Sequence, residues 1–208
     1  MNTFRILIIA TTVALLSASS CKGQEQQMNM TVKDALTQRH SVRSYTSQAI
    51  ADETVLEILW AANGVSRDDG RRTAPSAVNA KDIDLYVCKA DGTFKYDAAA
   101  GKIVKVTEEN VRPLIKAQNR FVDQAPVTIL LVTDQTRFGE PRPGSRNMNF
   151  GFIDAGIVSE NISLYCTSVG LGTVCCAPRM RIEEIQKILG LSDQQIPVLY
   201  HPIGYPAE

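Results

Sequence analysis

The chain is poor in the residues that metal and nucleic-acid chemistry require. It has only two histidines, His40 and His201, and its five cysteines do not fall at zinc-ligand spacing, which argues against a metal site. Lys plus Arg and Asp plus Glu both number 22, so no net field draws in nucleic acid or an anionic membrane surface. Any anion specificity must be local. There are no internal repeats and no glycine-rich dinucleotide fingerprint. The apolar run at residues 6–16 is too short to span a bilayer comfortably. What remains is ordinary globular composition, 44% hydrophobic and 21% charged.

The first thirty residues stand apart from the rest. Arg5 precedes the apolar run, then come the small residues Ser17, Ala18, Ser19 and Ser20, then Cys21. A basic start, a short apolar stretch and a small-residue zone describe a secretory signal. Cys21 in that position reads as a bacterial lipoprotein acylation site, although Ala18 stands where such signals usually carry Leu; plain cleavage near the same place is the alternative. The expectation is therefore an exported protein, lipid-anchored at the cell envelope and touching membrane only through its anchor. Residues 1–20 are the signal, 21–30 a polar tether, and 31–208 a single domain long enough to bury a core.

Thr31 followed by Asp34 is a capping-box signal for a short helix ending near Gln38. A stronger helix starts at Asp52, with Val55, Leu56, Leu59 and Ala62 on one face and Gly64 as its stop. The single tryptophan, Trp60, lies on that helix and reads as core. Residues 66–73 read as a mobile polar loop, 83–88 as a strand, and 94–96 with 103–106 as a hairpin. Residues 108–121 read as a helix with Pro113 in its first turn. The apolar run at 127–132, with Thr128 its one polar residue, predicts a strand buried on both faces. After a Pro- and Gly-containing loop at 137–146 comes the longest helix, 150–169, with Ile153, Ile157, Ile162 and Leu164 apolar. Residues 173–176 and 198–203 read as strands, and 182–189 as a helix stopped by Gly190. Helices interleaved with strands give an α+β, three-layer sandwich.

Four segments carry chemistry. Arg39, Ser41 and Arg43 set two guanidinium groups four residues apart around a hydroxyl, beside His40. That suits a phosphate, which wants convergent charged donors. Alone, the same spacing also fits basic residues offsetting a helix dipole. The second segment, residues 71–80, joins Arg71 and Arg72 to Pro75, Ser76, Ala77 and Asn79, small residues that would let a planar ligand approach the backbone. It also reads as an ordinary basic loop. Third is Gln118, whose amide both donates and accepts. It equally reads as an exposed glutamine at a helix end. Fourth is Asp154-Ala155-Gly156 with the later residues 170–178, containing Cys175, Cys176 and Ala177. Adjacent cysteines invite thiol chemistry, but a free Cys is commonly a small buried hydrophobe and no activator stands beside these two.

In order and spacing the four segments resemble the nitroreductase family over about residues 30–206. The resemblance implies a homodimeric α/β/α sandwich around a central, mostly antiparallel sheet, with FMN as cofactor. Arg39 and Ser41, with His40 between them, would then bind its phosphate, and Arg43 would sit at the N1/O2 side of the ring. Pro75, Ser76, Ala77 and Asn79 would cover the flavin of the other subunit, with Gln118 at the ring edge. Backbone groups of Cys175, Cys176 and Ala177 would lie near N5. The implied reaction moves hydride or electrons from a reduced donor to an electron-poor acceptor, such as a nitro compound or quinone, by a ping-pong scheme needing no side-chain acid or base. Two departures stand out. Asn79 is followed by Ala80-Lys81-Asp82 where the family often has x-Gln-Pro-Trp. The chain also reaches Glu208 without the basic residue that usually completes the phosphate site, a place Arg71, Arg72, Arg179 or Arg181 could fill. A lipid-anchored flavin- or ligand-binding protein without turnover is the alternative reading.

Overall fold

The computed structural model describes residues 30–116, 118–139, 147–177 and 179–207. The signal, Cys21 and most of the tether lie outside the described residues, as do residues 140–146 and Pro178.

Thr31 opens α1 (Val32–Gln38), and its hydroxyl accepts from the Asp34 amide while the Asp34 carboxylate accepts from Thr31, the reciprocal cap its spacing predicts. α2 is Asp52–Asn63. It ends at Gly64, which is not left-handed (φ −77) as a stop glycine would be. A Cβ there would sit 2.5 Å from the Trp60 ring, so the constraint is close approach. Trp60 itself is not core. It is 50% exposed, and its indole N–H donates to the Val65 carbonyl at 3.1 Å. Residues 66–71 form a closed turn rather than an open loop, because Val65 pairs with Arg72 and the Ser66 amide donates to the Arg71 carbonyl.

Six strands form one antiparallel sheet in the order β3-β2-β1-β4-β6-β5: β1 (Ile83–Lys89), β2 (Gly92–Asp97), β3 (Lys102–Thr107), β4 (Val127–Asp134), β5 (Gly172–Thr173) and β6 (Gln195–Gly204). β4 is central and buried at every position. Its side chains alternate between two cores. Val127, Ile129 and Leu131 face the core containing α2 and α4 (Asn147–Ser168), while Leu130 and Val132 face the one under α3 (Arg112–Ile115) and α5 (Ile182–Leu189). A strand with no solvent face reads as a largely apolar run, here broken by Thr128, Thr133 and Asp134. The layers are therefore helix, sheet, helix.

One expected helix is broken. Only Arg112–Ile115 is α-helical, followed by a turn at Gln118 and a 3-10 turn over Arg120–Asp123. The chain folds back instead. Arg112 donates to the Ala125 carbonyl at 2.8 Å, Lys116 pairs with Asp123, and Val122 drops into the second core while Phe121 packs toward Tyr45 as well. The expected strand at 173–176 is likewise shorter, two residues of β5 and then a single bridge from Cys176 to Tyr200.

Candidate functional site

Residues 39–45 leave α1 as an extended segment that adds itself to the β5 edge. Ser41 bridges Thr173 in parallel, and the Val42 amide donates to the Thr173 carbonyl at 3.0 Å. Gly172 makes this possible, since a Cβ there would lie 2.7 Å from Val42 Cγ1. Tyr45 anchors the far end. Its buried hydroxyl donates to the Val42 carbonyl at 2.6 Å, and burial raises its pKa well above the usual phenol range. The chain end closes over the same segment: Thr46 donates to Tyr205, and Ala207 to Ser44.

With this backbone paired, the side chains of Arg39, His40, Ser41 and Arg43 are left exposed on one edge. Arg39 Nε lies 3.5 Å from Glu160 of α4, and His40 Nδ1–H donates to the Gln38 carbonyl at 2.9 Å. Arg43 directly follows Val42, which pairs with Thr173, so its backbone lies beside the stretch that leads into the 175–177 turn. Gln118 is exposed in the turn before Asn119, which donates to the Tyr200 hydroxyl at 2.8 Å; Tyr200 in turn exchanges both backbone bonds with Cys176. Gln124 Oε1 accepts from the Tyr45 amide at 3.5 Å. Three of the four segments, far apart in sequence, thus converge.

Cys175 and Ala177 are exposed, and Cys176 is buried. Both main-chain polar groups of Cys176 are occupied by Tyr200, and burial pushes its thiol pKa up, so it offers neither a free amide nor a ready thiolate. The described thiols, Cys88, Cys166, Cys175 and Cys176, are free.

The second segment, residues 71–80, is elsewhere. The Ala77 amide donates to Asp154 Oδ2 of α4 at 2.8 Å, and the Lys81 amide to Ser76 Oγ at 2.8 Å. Pro75 is exposed, and Val78 and Asn79 project with positive φ of 48° and 56°, followed by Lys81 at 52°. For a β-branched residue such as Val78 that is a true outlier, costing on the order of 1–3 kcal/mol. Beneath the loop lies buried Asp82, bonded to Thr133 at the end of β4. Residue 41 instead sits beyond Thr173, Ile203 and Val127, at the start of β4. Six residues of strand separate Val127 from Thr133, about 20 Å. One chain does not bring residues 75–79 to the Arg39–Arg43 edge.

Of the four arginines that could complete a phosphate site, Arg71 pairs with Asp69 and Arg181 with Glu184. Arg72 donates to the Asn63 carbonyl and lines a cleft with Tyr96 of β2, at the other side of the sheet from the β5 edge that Ser41 joins. Arg179 is exposed, two residues past Ala177.

Sequence reading missed a buried polar centre. Ser159 of α4 lies 2.8 Å from His201 Nε2, and Thr173 Oγ1 lies 3.1 Å from Nδ1. Thr173 gives its proton to the Pro202 carbonyl, so His201 Nδ1–H donates to Thr173 and Nε2 accepts from Ser159. Burial holds the imidazole neutral, with its pKa lowered to about 3. Its neighbours consume its hydrogen-bonding capacity, so the Ser–His pair is a structural tie between α4, β5 and β6.

Residues 36–205 match the sequence pattern of the nitroreductase family. A protein of Methanocaldococcus jannaschii described as a nitroreductase is 30% identical over 186 residues, 85% of this chain and 92% of its own length. An FMN reductase (NAD(P)H) of Bacillus subtilis is 27% identical over 193 residues, 87% of this chain and 68% of its own. Among solved structures, a Ralstonia eutropha protein described as a nitroreductase superposes with a TM-score of 0.79 at 31% identity, covering 86% of this chain and 84% of the other. The chain belongs to the nitroreductase family and is an oxidoreductase of that family.

Proposed function

We propose that this protein is an FMN-dependent oxidoreductase that passes electrons from a reduced donor, NAD(P)H or another reductant, to an electron-poor acceptor such as a quinone or nitro compound. The observation that carries this reading is the convergence of residues 39–43, Gln118 and the 175–177 turn on one edge of the sheet. The residues fit the cofactor. Arg39 and Ser41 offer exposed charged and hydroxyl donors for a phosphate, and the paired backbone beneath fixes their spacing. Gln118 offers a donor and an acceptor for a heterocycle edge. Bound FMN would supply the two-electron carrier that the side chains lack. Arg43 would set fixed positive charge where negative charge develops on the ring, and no side-chain proton donor is needed.

The proposal includes a homodimer. Residues 75–79 lie at the far end of β4, so a site using them draws on a second copy. The helices carry a surface suited to one. α4 turns Gly151, Asp154, Ala155, Ser159 and Ser163 inward and exposes Phe152 and Ile153, while Val32, Leu36 and Trp60 are at least half exposed on α1 and α2. Export with a lipid anchor at Cys21 remains part of the proposal on the signal pattern alone, and fatty-acid labelling lost in Cys21→Ser is its test. An exported enzyme is cut off from cytoplasmic NAD(P)H, so its reductant has to come from elsewhere.

Purification tests the central claim. The protein should carry a flavin identifiable as FMN by mass, be bleached by a hydride donor without oxygen, and recover its colour on adding a quinone or nitroaromatic. A protein that binds no flavin on reconstitution sinks the reading; one that binds FMN but never turns over leaves the binding-only alternative.

A further inference from the structure

The loop over residues 76–81, with positive φ at Val78, Asn79 and Lys81, is attached to α4 by the Ala77–Asp154 bond and lies over two buried acids. Asp82 is fully buried and Asp154 nearly so, and α4 brings Asp154 toward Asp82, because Gly151, one turn before Asp154, packs against the Thr133 hydroxyl that bonds Asp82. Two carboxylates are both acceptors and cannot bond each other. Asp82 Oδ2 is already an acceptor: Thr133 Oγ1 accepts from Gln135 Nε2 at 2.8 Å, so the Thr133 hydroxyl proton goes to Asp82, 2.6 Å away. Asp154 Oδ2 accepts from the Ala77 amide. Asp82 Oδ1 is buried with no partner among the described residues. One proton between the two carboxyls answers both problems, giving the orphaned oxygen a partner and removing the like-charge repulsion.

Among the described residues, no neighbouring cation does this work. From the preceding loop, Lys81 points its amine toward Gly70. Arg137 is taken by Asp84, Asp134 and the Lys81 carbonyl. From β4 and the turn after it, Thr133 and Gln135 are neutral, and Asp134 faces Thr136 and Arg137. From α2, Asn63 is neutral and donates to the Ile83 carbonyl. α4 brings Asp154 itself, with Gly151 against Thr133 and Gln135.

We propose that Asp82 and Asp154 share one proton, and that this hydrogen-bonded pair is the clasp that keeps residues 76–81 in their strained conformation on α4. Loss of the proton sets two buried negative charges against each other and frees the Ala77 attachment. The loop then relaxes from its positive-φ geometry. Burial and the neighbouring Asp154 raise the Asp82 pKa to about 7, so the clasp opens near neutrality. Asp82 and Asp154 are positioning residues. Their effect on cofactor binding rests on the reading of residues 75–79 as the cover of the partner copy's FMN.

The test is amide exchange at Ala77 in the intact protein without added flavin, expressed as protection relative to an unstructured peptide at the same pH. Protection should fall above about pH 7, by up to about tenfold per pH unit, the limit for release of one proton. Asp154→Asn keeps an oxygen for Ala77 and places an N–H where the shared proton was, so protection should stay high and independent of pH. Asp82→Asn does the same from the other side, while Asp154→Ala should leave Ala77 poorly protected throughout. Asn variants that keep the wild-type pH profile, or full protection in Asp154→Ala, overturn the clasp. FMN affinity measured over the same range separates the two readings. If protection behaves as described and affinity does not follow it, the clasp stands and the cover role of the loop falls.

Discussion

Glu160 and Arg39 meet half in solvent, and such a pair contributes only about 0–1 kcal/mol. A phosphate offers Arg39 a stronger, doubly charged partner, so Glu160 competes with the ligand. Arg39→Ala should weaken FMN binding severely, whereas Glu160→Gln should tighten it, by up to about fivefold at low salt. Titration of the apo-protein by flavin fluorescence reads both, and a weaker Glu160→Gln complex would make that carboxylate a positioning group rather than a competitor. Two buried groups set the stability profile with opposite signs. His201 has its folded pKa depressed from 6.5 to about 3, so its contribution is complete above about pH 6.5 and is lost as pH falls toward 3. Asp82 has its folded pKa raised from 3.8 to about 7, so its contribution is complete below about pH 4 and is lost as pH rises through 7. Over that shared window the slopes oppose each other. Asp82→Asn should leave only the His201 slope, and Tm should then rise clearly with pH between about 4 and 6.5; a variant with the wild-type profile would assign the slope to other groups.

At the scale of elements, the patterns that held were those with a single physical cause. β4 was legible because a strand buried on both faces favours apolar residues at successive positions, as at 129–132, and α5 because Ile185 and Leu189 face the core while Gly190 stops it. The run at 108–121 failed because Arg112 is drawn to the Ala125 carbonyl and Val122 is buried in the second core, tertiary demands that helical periodicity does not encode. Trp60 failed for a related reason. An apolar face says that a side chain seeks cover, not whether that cover lies within the same chain. Leu131 is fully buried at the centre of β4, so Leu131→Ala should cost about 2–5 kcal/mol by denaturant unfolding. A loss below about 1 kcal/mol would mean that the core collapses to fill the space.

For the whole molecule, the decisive fact is that residues 39–43 and residues 75–79 occupy opposite ends of β4. On the proposed reading of those residues as parts of one site, a second copy completes it, and the exposed apolar residues of α4 and α1 are where that copy would seat. Phe152→Glu should shift sedimentation toward monomer and lower FMN occupancy together; a monomer that retains FMN would confine the site to one chain. Spacing and residue type alone determined the family pattern, the alternation of helices and strands, and the clustering of two guanidinium groups around a hydroxyl at Arg39, Ser41 and Arg43 on which the proposed phosphate site rests. These follow from local chemistry, in which neighbours in the chain remain neighbours in space. Only the tertiary structure decided that Arg72 turns away from that site, that Cys176 spends its backbone on Tyr200, and that Asp154 meets Asp82 beneath a strained loop. Each of those depends on contacts between residues tens of positions apart, whose closeness is set by the packing of α4 and the chain end across the sheet and leaves no periodic trace in the sequence.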